Sequence, residues 1–140
     1  MRLFALVSLL AGMVLIGLAP ARAEVIARVN IASQQMIVEV DGAVAAVWSV
    51  STARKGYVTP RGVYRPQSLA RMHYSRKYHN SPMPFSVFFR GGYAIHGTHE
   101  VKRLGRPASH GCVRLAKANA AALYELIRNH GPRNTKIIIT

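Results

Sequence analysis

The chain predicts a mainly β domain, a β-sandwich or partly closed barrel, with one helix near the C-terminus. Three observations carry this. Short runs of apolar–polar alternation recur along the chain, Gly and Pro clusters separate them, and only residues 116–130 show clear helical spacing.

Val25 to Asn30 and Gln35 to Val40 alternate as half-buried strands do. Asp41-Gly42 is a short-turn pair between apolar runs. Ala43 to Val50 reads as the next strand, with Trp48 as a core anchor. Residues 51–62 are loop-like, with Gly56, Pro60 and Gly62. Val63 to Leu69 is a strand that Pro66 interrupts, hence a poor central one. Arg71 to Pro84 is polar, basic and aromatic, and reads as a surface loop or lid bearing His73, Tyr74, Tyr78 and His79. Phe85 to Phe89 and Tyr93 to Ile95 are β-rich on either side of Gly91-Gly92. In the helix, Leu115, Ala118, Ala122, Leu123, Leu126 and Ile127 share one face. Arg128 and His130 suit its negative end, and Gly131-Pro132 stops it. Thr135 to Thr140 is a closing strand.

Residues 1–23 read as a signal peptide outside the domain. Met1-Arg2 is a positive start, Leu3 to Ala19 is apolar apart from Ser8, and Ala21-Arg22-Ala23 is a small-x-small exit. The apolar run is somewhat long, so an uncleaved anchor is the alternative. One domain, 24–140, follows, and the expected location is the periplasm or cell envelope. With Arg2 and Arg22 removed, seventeen Lys and Arg face five acids, a net of +12. Export argues against nucleic acid as the partner of this charge, and for an anionic wall or membrane surface. The five acids, Glu24, Glu39, Asp41, Glu100 and Glu125, offer no evident carboxylate pair for acid–base hydrolysis.

Cys112 is the only cysteine, so it has no internal disulfide partner. It lies in Ser109-His110-Gly111-Cys112-Val113-Arg114, downstream of His96-Gly97. A thiol is mostly protonated at neutral pH and needs a base. His96, ending a strand, is the better general base; His110 is the better supporting or substrate-contacting residue. Gly111 allows close backbone approach to a reacting carbonyl, so its amide and that of Cys112 are oxyanion donors. Arg114 can fork onto a carboxylate, and Ser109 can bond a histidine or the turn. Among the acids, only Glu100 could serve as a third triad member.

These residues resemble the catalytic signature of the L,D-transpeptidase (YkuD-type) domain: a His-Gly, then Ser-His-Gly-Cys, an apolar residue and Arg or Asn. Thr59-Pro60-Arg61-Gly62-Val63-Tyr64 and Met83 to Phe89 resemble two further motifs of that family. The resemblance covers essentially 24–140. It implies that Cys112 takes an acyl group from a peptidoglycan tetrapeptide stem, releasing D-Ala, and passes it to an amine. It implies His96 as acid–base partner, oriented by a backbone carbonyl. Amides near His110, Gly111 and Cys112 would stabilise the oxyanion, with Ser109 and Gly97 as supporting residues. Arg114 would hold a stem carboxylate; Tyr74, on the 71–84 segment, is a separate candidate substrate contact. No cofactor or metal is implied. The acceptor is open: a second stem, a protein amine, or water in an L,D-carboxypeptidase. Two other classes compete. His96, His99, His110 and Cys112 could ligate zinc, or the domain could be a non-catalytic wall-binding module.

Overall fold

The computed structural model describes Gly17 and residues 24–140. The expected signal peptide therefore lies outside the described residues, Gly17 excepted. Nine strands and one α-helix follow one another: β1 Val25–Asn30, β2 Gln35–Val40, β3 Ala43–Ser49, β4 Gly62–Tyr64, β5 Ser68–Ser75, β6 Ser81–Arg90, β7 Tyr93–Thr98, β8 Val113–Ala116, α1 Lys117–His130 and β9 Thr135–Ile139. They form two sheets, ordered β3-β2-β1-β9-β4 and β5-β6-β7-β8. Of the two architectures expected, this is the two-sheet one; no barrel closes.

Each sheet follows from period-two patterning. In the first, Val25, Ala27 and Val29 of β1 sit in register with Val40, Val38 and Met36 of β2 and with Thr135, Ile137 and Ile139 of β9. This row is the inner face, and all but Val40 are buried. Asp41 and Gly42 make the β2–β3 turn with φ of 51° and 79°, the left-handed pair a tight hairpin requires. In the second sheet, Leu69, Val87, Ile95 and Val113 align strand to strand, with Phe89 and Leu115 on the same face. The buried members of these two rows form one core with Leu123, Tyr124 and Ile127 of α1.

Three readings need correction. Residues 71–84 are not a loop: β5 and β6 form a hairpin, closed by a 3-10 turn at Arg76–Tyr78. Its prolines are tolerated for a geometric reason. Pro82 and Pro84 pair with Tyr74 and Met72, two residues apart, so both ring nitrogens face the same way; β7 pairs with β6 only from Val87 onward. The helix buries Ala120, Leu123, Tyr124 and Ile127, while Ala118 and Ala122 are exposed. Its register is set by Tyr124 packing edge-on against Phe85, a contact that spacing alone does not reveal. Trp48 is only half-buried at the core margin, because β3 is an edge strand with Val44 and Val47 outside.

Candidate active site

The second sheet has two faces with different tasks. Its odd row fills the core; the even row, Phe88, Ala94, His96 and Arg114, faces the other way. Strands β7 and β8 run parallel with His96 beside Arg114 and Ile95 beside Val113. Cys112 lies one residue before β8; continuing the register would put it beside Ala94, one strand over and two residues back from His96. From a strand spacing of ~4.8 Å and a rise of ~3.3 Å per residue, the Cα atoms of Cys112 and His96 would then lie about 8 Å apart. Parallel pairing across the Thr98–Cys112 connection brings residues 96 and 112 together, and no hairpin could do so in parallel sense.

His96 is 7% exposed. Its Nδ1 lies 2.7 Å from the Gly97 carbonyl. A carbonyl only accepts, so Nδ1 carries the proton and Nε2 holds the lone pair. Burial pushes the imidazole pKa down to about 4; the Gly97 bond opposes this, while Arg114 and His73 add to it. His96 is thus a neutral ring with its basic nitrogen fixed in identity. Gly97 is glycine for a packing reason. A Cβ there would lie 3.0 Å from the Lys117 Cα, so α1 could not pass as closely.

Cys112 is half-buried, and burial raises its thiol pKa against the Ala94 amide and Arg114, which lower it. Its Sγ donates weakly to the Gly92 carbonyl at 3.9 Å. Both shifts place the resting proton on sulfur, a neutral thiol–imidazole pair and not a thiolate–imidazolium one. The thiol points to Gly92 in this state and makes no hydrogen bond to His96.

The turn before the nucleophile is braced throughout. Ser109 Oγ accepts from the Gly111 amide at 3.0 Å and donates to the Cys112 carbonyl at 2.6 Å. The Gly111 amide, expected as an oxyanion donor, is therefore committed to Ser109. Gly111 has φ of 134°, and a Cβ there would meet Tyr93 Cε1 at 2.6 Å and the Val58 carbonyl at 2.9 Å. Only glycine fits. Thr52 accepts the Ala108 and Ser109 amides on its carbonyl, and its own amide and hydroxyl bond the buried Gln34 side chain.

His110 does not join the thiol. Its ring stacks on Tyr78 (4.1 Å, 10°) and meets Tyr57 edge-on (4.7 Å). Arg54 Nη2 donates to its Nε2 at 2.9 Å. Burial and the nearby cations, Arg54 first, lower its pKa. Tyr78 comes from the β5–β6 tip, so the hairpin tip touches the His110 ring, as ordered strand and turn and not as a loop. Arg114 Nη1 binds Glu100 Oε2 at 3.2 Å. Glu100 thus pairs with Arg114 and Arg103, and a carbonyl, not an acid, orients His96. Tyr74 is half exposed on β5 opposite Pro82, and the rings at the site are those of Tyr57 and Tyr78. His96, His99, His110 and Cys112 do not converge; among the described residues no three His, Cys, Asp or Glu gather as metal ligands. A cleft of about 300 Å³ at His99–Arg103 and one of about 160 Å³ beside Tyr57, Val58 and Thr59 are lined by neither Cys112 nor His96.

The domain as a whole has known counterparts. The family model for the YkuD, or L,D-transpeptidase, catalytic domain matches residues 24–139. The chain belongs to this family. It is 29% identical over 125 residues to YqjB of Bacillus subtilis (strain 168), whose name assigns it provisionally to the L,D-transpeptidases; the match covers 80% of this chain and 69% of YqjB. Among solved structures, an L,D-transpeptidase from Mycobacterium smegmatis superposes with TM-score 0.76 at 23% identity, covering 84% of this chain and 59% of that one. One from Stackebrandtia nassauensis gives 0.71 at 26%, covering 86% and 57%. The chain thus spans under two-thirds of the length of those solved structures. Within the L,D-transpeptidase domain, sequence reasoning missed Arg54, Tyr57, Tyr93 and the structural task of Thr59. Only Thr59 left a trace, in the Thr59-Pro60-Arg61-Gly62 motif.

Proposed function

We propose that this domain is an exported peptidoglycan L,D-transpeptidase that works through a Cys112 thioester. What supports the reading is the family match together with the pairing of His96 with Arg114, two residues after Cys112, and the bond that ties His96 Nδ1 to Gly97. A rotation of the Cys112 side chain away from Gly92 turns the thiol toward Nε2, and catalytic contacts commonly tighten only when substrate binds. Cys112 attacks the carbonyl after the L-centre of meso-diaminopimelate in a tetrapeptide stem. The thiol proton passes to His96 Nε2 as the S–C bond forms. His96 returns it to the departing D-Ala amine as the C–N bond breaks. An incoming amine then attacks the thioester, His96 accepts its proton, and the sulfur leaves to regain it.

The amides of His110 and Cys112 are the oxyanion donors in this scheme, since Gly111 donates to Ser109. Arg114 holds a stem carboxylate with the N–H groups that Glu100 leaves free. Tyr74 contributes to the substrate rim. The acceptor is a second stem in the leading form, with a protein amine or water as variants of the same acyl-enzyme. The basic surface keeps the domain at an anionic wall or membrane face. No helix among the described residues is long and apolar enough to cross a membrane.

The test is incubation of the 24–140 protein with disaccharide tetrapeptide, following D-Ala and dimer by mass. Release by the wild type and its loss in Cys112→Ala are expected. An inactive wild type, or an active Cys112→Ala protein, overturns the proposal.

A further inference from the structure

Thr59 is tied to the turn before the nucleophile by a hydroxyl that both donates and accepts. Oγ1 donates to the Gly111 carbonyl at 2.8 Å and accepts from the Ala53 amide at 3.0 Å. The residue is 4% exposed, so bulk water cannot replace either partner. Ala53 in turn bridges to Ser109, and the Arg54 amide bonds the Ser109 carbonyl at 2.9 Å. The hydroxyl is thus tied at both ends to the turn that presents Cys112.

The Gly111 carbonyl and the Cys112 amide belong to one peptide unit, and the chain has no cis peptide bond among the described residues. In a planar trans peptide the C=O and N–H point in opposite directions. Holding the oxygen therefore fixes the hydrogen. The brace is needed because glycine imposes least resistance to rotation of the peptide that follows it. A flipped Gly111–Cys112 peptide would turn its N–H away and offer a carbonyl oxygen to a developing negative charge.

We propose that Thr59 is a positioning residue whose hydroxyl locks the Gly111–Cys112 peptide so that the Cys112 N–H serves as an oxyanion donor. The inference rests on the acyl-transfer reading above. It separates two reactions of one sulfur. Acylation passes through an oxyanion and needs the amide; alkylation by iodoacetamide has no oxyanion and does not.

The experiment compares wild type, Thr59→Val and Thr59→Ser in the 24–140 protein. Acylation is followed by mass with tetrapeptide and with a carbapenem, and alkylation with iodoacetamide across neutral and alkaline pH. Thr59→Val is expected to slow acylation about 10- to 100-fold, chiefly in kcat, short of the loss from deleting a donor outright. Its alkylation rate and pH midpoint should stay put, and Thr59→Ser should restore acylation. Thr59→Ala gives the same comparison should Thr59→Val fail to fold. Acylation within about twofold of wild type overturns the inference. So does a parallel fall of acylation and alkylation, which marks a general disturbance of the site, or a failure of Thr59→Ser to restore acylation. A wild type acylated by neither donor removes the acyl-transfer reading itself, and this inference with it.

Discussion

Acid should weaken this fold chiefly through His96. His96 is buried as a neutral ring with a pKa of about 4, against an ordinary value of 6.5. The unfolded chain therefore binds a proton through the window from 6.5 down to about 4 while the native state does not. Stability contributed by neutral His96 is full above pH 6.5 and falls as pH drops. A gap of about 2.5 pH units corresponds to roughly 3 kcal/mol by the bottom of that window. This is a large part of the stability of a domain of this size. The assay is urea unfolding of wild type and His96→Gln at several pH values between 7.5 and 4. The wild-type curve should fall more steeply by up to roughly 3 kcal/mol. Parallel curves for the two proteins refute the reasoning. The same neutrality bears on catalysis. The acid limb of acylation should lie well below pH 6, whereas a limb centred near 6.5 would mean an exposed, ordinary imidazole.

Other outcomes follow from particular contacts. Gly111→Ala should destabilise by about 2–4 kcal/mol, since a Cβ meets Tyr93 and Val58 at a φ of 134°; thermal unfolding at the wild-type temperature would contradict this. Leu123→Ala empties a fully buried core position and should cost about 2–5 kcal/mol in denaturant unfolding; a loss under about 1 kcal/mol would deny Leu123 that core position. Tyr78→Ala removes the stack on His110. Amide exchange at residues 76–80 should accelerate while overall stability moves by less than about 1 kcal/mol; unchanged exchange would mean that the stack does not hold the hairpin tip.

Much of the fold is local and was legible. The alternation of Val25 to Val40, the Asp41-Gly42 turn and the Gly131-Pro132 stop each act within a few residues, and the structure follows them. The 71–84 segment misled because its prolines and polar residues are normal for a loop. They became a strand through pairing with β5, whose unpaired far edge no local pattern announces. The site divides the same way. Cys112 and His96 stand out by residue type and motif, and the parallel register pairs His96 with Arg114, two residues after Cys112. The partners of His110 and the commitment of the Gly111 amide to Ser109 were not legible, because a hydrogen bond has no sequence period.

What the sequence determined by itself was the strand rows of the first sheet, the one helix and the candidate pair His96 and Cys112, since side-chain type and short-range periodicity encode these directly. What only the tertiary structure decided was which atoms meet: Thr59 on Gly111, 52 residues away, and Tyr78 on His110. Such contacts are set by how two sheets and a helix close around a common core, and the residues involved carry no mark of it.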